Sequence, residues 1–169
     1  GDLAGLRIRV PEGRIFDDTF KSLGAEPVPV FVLDLYRALA ERRVDAQENP
    51  LAITDSLKLH EVTRHIALTY HMWSGFNLIA NPAFWHGLPA DVRDIVLRNV
   101  KLHVARQRAH TSALNRDLEL TLAQRGMQFT RPDIATFRAR LSGGFYARWK
   151  AEFGHAAWAL LEAGVGTLV

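Results

Sequence analysis

The sequence has no cysteine in its 169 residues. That excludes disulfide bridges, thiolate metal sites and a cysteine nucleophile. It has no apolar run near the ~20 residues that a helix needs to cross a bilayer. It also lacks a strong charge of either sign, since 21 Lys and Arg against 18 Asp and Glu leave a net +3. The basic residues are spread from Arg7 to Lys150. The densest group, residues 138–150, is interrupted by glycine and aromatic residues. A nucleic-acid binder concentrates its charge on one face, so nucleic acid is not an expected partner. No GxSxG or Walker pattern occurs. His60-Glu61-Val62-Thr63-Arg64 comes near the zinc motif HExxH, but Arg64 stands where the second histidine should be. Gly164-Val165-Gly166 has no strand before it and no helix after it, so it is not a dinucleotide fingerprint. No metal and no cofactor are expected. The chain opens on Gly1-Asp2 instead of methionine, as a processed or partial chain would, so the lack of a leader says nothing of compartment.

What is there is an ordinary globular composition, 48% hydrophobic and 23% charged, patterned as alternating strand and helix. Leu6 to Val10 reads as a strand stopped by Pro11. Arg14 to Leu23 reads as a helix stopped by Gly24. Val28 to Val30, Leu33 to Arg42, Val44 to Gln47 and Leu51 to Glu61 continue the rhythm as strand, helix, strand and helix. Such a β-α-β-α-β-α order predicts a parallel sheet flanked by helices. Arg64 to Tyr70 and Asn77 to Asn81 are expected strands. From Ala90 to Arg125 no proline or glycine intervenes. Val92, Ile95, Val96, Val100, Val104, Leu114, Leu118 and Leu122 keep a helical period. A continuous helix of that length would measure ~54 Å, more than the ~30–35 Å width of a 169-residue globule. It is either broken near His110-Thr111-Ser112 or it bridges two lobes. Thr130 to Leu168 reads as a helical tail with breaks at Ser142-Gly143-Gly144 and at Gly154. Its aromatics Phe145, Tyr146, Trp149, Phe153 and Trp158 are expected in the core.

In open α/β sheets, ligands bind beyond the carboxyl ends of the strands. Three strand ends here carry polar groups or turns: Arg9 to Glu12, Pro29 to Val32, and Gln47 to Pro50. If the strands are parallel neighbours, these ends share one crevice. Arg9 alternates with Ile8 and Val10 and so faces the opposite side. A buried guanidinium is costly unless paired, and its planar fork suits a carboxylate. Asn49 offers a donor and an acceptor without charge, and Pro50 restricts its backbone. The residues alone leave two readings open: a small-anion clamp, or a structural ion pair of Arg9 with Glu12, Asp45 or Glu48.

Several segments resemble one family. Asp2-Leu3-Ala4-Gly5-Leu6-Arg7-Ile8-Arg9-Val10-Pro11 resembles the DLKGLKIRVP segment of the solute-binding proteins of TRAP (tripartite ATP-independent periplasmic) transporters, of the C4-dicarboxylate type. Gly24 to Pro29 resembles their GAxPTP, and Tyr36 to Leu39 their YxAL. Val44-Asp45-Ala46-Gln47-Glu48-Asn49-Pro50 resembles VDGQENP, the most specific of the set. Phe84 to Asp91 resembles FWxxLPAD. The order and spacing fit without gaps to about residue 95.

The resemblance implies a two-lobed periplasmic protein that captures a small organic acid and delivers it to TRAP membrane permease subunits. It implies Arg9 as the carboxylate ligand, assisted by Asn49. It also implies Glu12, Trp73 and Val32 (or its neighbour Phe31) as pocket residues, with Glu12 selecting an amine or hydroxyl where a neutral residue is common. Ala46 departs from the usual glycine and restricts the turn before Asn49.

Two lobes of ordinary size need roughly 300 residues, so the first lobe is expected to be largely missing. Residues 1–74 and 115–169 then form the second lobe, and 75–114 the segment that returns to the first, within a lobe-spanning helix. Half a pocket and exposed apolar surface would favour a homodimer. Two other functions are weighed beside capture. One is an α/β enzyme using Arg9 as anion clamp and Glu12 or Glu48 as acid or base. The other is an assembly module without ligand.

Overall fold

The computed structural model describes residues 2–168; Gly1 and Val169, the outer limits of the expected lobe boundaries, lie outside the described residues. Strand β1 (Arg7–Val10) lies between β2 (Glu26–Pro29) and β3 (Ala46–Gln47), and both pairings are parallel. Helix α1 (Arg14–Ser22) joins β1 to β2. A 3-10 turn (Val32–Asp34) and α2 (Leu35–Ala40) join β2 to β3. Connections of this kind are what parallel neighbours require.

Each face of this sheet has its own apolar layer. Ile8 and Val10 pack with Phe20 and Ala25, and with Phe16 and Leu23, on the α1 side. Leu35, Ala38 and Leu39 of α2 pack with Val44 and Leu59, and with Val28 and Val30. Helix α1 is covered in turn by a third layer. Leu141, Phe145, Trp149 and Trp158 cluster against Ile15 and Leu23. They come from α6 (Ile134–Leu141), α7 (Gly144–Phe153) and α8 (His155–Val165). Gly154 separates the last two at φ 80°, a left-handed value that glycine takes without steric cost. Phe153, expected in this core, is exposed instead; it ends α7 just before the chain turns away at Gly154.

Three further expectations are corrected. The helix predicted over Leu51 to Glu61 is split into α3 (Leu51–Ser56) and a 3-10 turn (Leu59–Glu61), because Lys58 is left-handed at φ 53°. The predicted strand from Asn77 to Asn81 is irregular; among the described residues no neighbouring strand pairs with it, and Leu78 and Ile79 are exposed. The tail does not turn helical at Thr130. Gln128–Thr130 is a strand, β5, paired in parallel with β4 (His65–Ala67).

Between these two strands run α4 (Pro82–Gly87) and the unbroken α5 (Ala90–Gln124), 35 residues or ~52 Å long. No break falls at His110 to Ser112. Helix α5 packs against α3 near its C-terminal end, where Leu118 and Leu122 are buried. Gly126, at φ 93°, turns the chain into β5. No helix among the described residues is long and apolar enough to cross a membrane.

Candidate ligand site at the strand ends

The parallel pairing brings the three polar strand ends together. Val10 pairs with Pro29, and Arg9 with both Val28 and Gln47. Alternation places Ile8 and Val10 in the α1 layer and turns Arg9 to the other face. Arg9 is only 2% exposed, which is unusual for a guanidinium. Its Nε donates to the Val30 carbonyl at 2.8 Å. That bond fixes the plane of the fork against the end of β2 and leaves the Nη groups to face elsewhere. Burial lowers the Arg9 guanidinium from its ordinary value, and the charge of Glu48 raises it in part.

Among the described residues, Arg9 forms no ion pair with a carboxylate. The three partners foreseen for it are otherwise placed. Asp45 is taken by Arg7, whose Nε and Nη2 reach its two oxygens at 2.9 and 2.7 Å. Glu12 is exposed. Glu48 acts on Arg9 by charge, while one of its oxygens lies 3.4 Å from His71 Nε2. Asn49 is partly buried, and its amide donates to the side chain of Gln47 at 2.5 Å, which fixes its orientation.

His71 is the residue that sequence reasoning passed over. Its Nδ1 meets Thr69 Oγ1 at 2.7 Å, and its ring stands edge-on to Phe20 with centroids 5.4 Å apart. Nε2 is enclosed and, among the described residues, lacks a hydrogen-bond partner despite the nearby Glu48 oxygen. The only signal was its place two residues from Trp73, since nothing in the spacing links it to Glu48. The remaining expected residues are less enclosed. Val32 is half-buried at the start of its 3-10 turn. Phe31 is exposed. Trp73 is 88% exposed, with its ring folded over Gly75. A side chain at Gly75 would lie 2.1 Å from that ring.

A buried cation with free donors, an oriented amide and a carboxylate–imidazole pair at the ends of parallel strands can bind and orient an anion. Comparison with known proteins places the chain in a family. Residues 1–146 match the family described as bacterial extracellular solute-binding protein, family 7. The C4-dicarboxylate-binding periplasmic protein of Rhodobacter capsulatus is 36% identical over 92 residues, covering 54% of this chain and 28% of that protein. The sialic acid-binding periplasmic protein of Vibrio cholerae is 31% identical over 140 residues, covering 81% of this chain and 43% of that one. A TRAP periplasmic solute-binding protein from a Polaromonas species, solved with bound D-erythronate, superposes with a TM-score of 0.89 at 29% identity. It covers 96% of this chain and 54% of its own. The chain thus spans about half the length of its relatives or less. The match over most of its residues is nevertheless decisive: this chain belongs to the bacterial extracellular solute-binding proteins of family 7.

Proposed function

We propose that this chain is the Arg9-bearing part of a periplasmic solute-binding protein that captures a small organic acid for a TRAP transporter. The observation that carries this reading is the burial of Arg9 at the strand ends without a paired carboxylate. A guanidinium held in that way is a preorganised clamp for a carboxylate from solution. Asn49 orients the acid, and Val32 borders it. Glu12 and Trp73 belong to the rim that a second lobe would close upon. Residues 1–74 and 115–169 form one lobe, and 75–114 reach toward the other. The exposed Phe76, Leu78 and Ile79 and the shortness of the chain beside its relatives support that division. The partners are TRAP membrane subunits, and the role is capture without chemistry.

The test is Arg9→Ala in the full-length protein. Isothermal titration with D-erythronate, sialic acid and succinate identifies the acid that binds. The substitution then weakens it by about 2–5 kcal/mol, roughly 30-fold or more, with circular dichroism unchanged. Retained affinity would remove Arg9 from the site.

A further inference from the structure

The charges around Arg9 balance before a ligand arrives and do not balance afterwards. Arg9 is positive and Glu48 negative, and each is within the other's field. An entering carboxylate adds a second negative charge to a site whose groups are largely enclosed. Unbalanced charge is costly there, because enclosure weakens screening by solvent.

One group stands ready to restore the balance. His71 Nε2 is enclosed, has no hydrogen-bond partner among the described residues, and lies 3.4 Å from Glu48 Oε2. A proton on that nitrogen turns the contact into an ion pair with the Glu48 carboxylate. The other ring nitrogen faces the Thr69 hydroxyl, which donates or accepts as the ring requires. The remaining neighbours do not compete. Helix α1 presents the Phe20 ring to the imidazole, and its charged pair Asp17 and Lys21 is closed on itself at 2.6 Å. Strand β1 contributes Arg9, which acts through Glu48.

We infer that capture of a carboxylate at Arg9 is coupled to uptake of a proton by His71. The inference rests on the reading of Arg9 given above. Its consequence is a pH-dependent affinity: when a proton is taken up with the ligand, binding weakens as pH rises. A member of this cluster thereby senses both the ligand and the acidity of its surroundings.

The experiment is calorimetric titration of the full-length protein with D-erythronate and with sialic acid, whose carboxyl groups stay ionised from pH 6 to 8. Titrations are run at pH 7 in MOPS and in Tris, which differ in ionisation heat. The expected result is a buffer-dependent heat equal to uptake of up to about one proton per ligand, with Kd rising by up to about tenfold per pH unit. His71→Gln and Glu48→Gln each abolish the uptake and flatten the pH profile, the first by removing the acceptor and the second by removing the excess negative charge. Binding with equal heats in the two buffers overturns the coupling and leaves the Arg9 clamp intact. Uptake that persists in either variant also overturns it. No binding of any acid removes both the clamp and the coupling.

Discussion

Helix α5 is two helices in energetic terms. At its C-terminal end Leu118 and Leu122 are buried, and Leu122 is 0% exposed. Toward its N-terminal end Ile95 and Leu102 are 49% and 46% exposed. The irregular segment before it is barer still, with Phe76 at 98%. Charge follows the same division. Among the described residues, ion pairs link the packed part, as in Arg7 with Asp45, Asp55 with Arg125 and Glu119 with Arg131. None involves residues 72–118. Both stretches are apolar at helical spacing, so sequence pattern does not separate them. What separates them is whether another part of the chain arrives to cover them.

The sharpest way to test this contrast is a pair of truncations. Leu122→Ala costs about 2–5 kcal/mol in urea unfolding, as for a fully buried leucine, whereas Leu97→Ala stays within about 0.5 kcal/mol. Equal costs would erase the distinction. The second effect is on assembly. Residues 1–169 alone give at least twice the monomer mass by light scattering, because the bare face of α5 and the Trp73–Phe84 stretch seek cover. Ile95→Glu with Leu102→Glu, two residues on one helical face, returns the chain to a monomer; a wild-type monomer would show that the bare face needs no cover.

The smallest effect concerns the packed half. Asp45 receives the Arg7 guanidinium and the Arg7 backbone N–H, which hold its carboxyl below the ordinary carboxylate range. A lowered folded value means stability that is present above the unfolded carboxylate pKa, near 4, and lost as pH falls through the folded one. Asp45→Asn therefore lowers stability slightly at pH 7 and makes acid unfolding below pH 4 less steep. An unchanged acid limb would deny the pair any role.

Elements governed by neighbours in sequence were legible in advance. β1 stops at Pro11, α5 ends just before Gly126, and α7 and α8 part at Gly154, although whether α5 ran unbroken past His110 was not settled by the sequence. The elements that were missed depend on distant parts of the chain. β5 exists because β4 pairs with it. The stretch from Asn77 to Asn81 has the composition of a strand but no edge to join. Lys58 takes a left-handed conformation that its side chain does not announce. The site divides in the same way. Arg9 and Asn49 lie in motifs, while the exposed Glu12 and Trp73 were implied only by family position. His71 had neither signal, because its closeness to Glu48 is made by tertiary structure across more than twenty residues.

The pairing of β4 with β5 has a kinetic meaning as well. Three residues on each side join in parallel across an excursion of about 60 residues, a closure that costs chain entropy before it returns any contact. Helix α5 changes that cost. Once helical, 35 of those residues move as one rod, and the rod's end is anchored on α3, close in sequence to β4. The chain that must still find its register is then short. A helix of this length thus shortens the flexible loop that the β4–β5 pairing has to close.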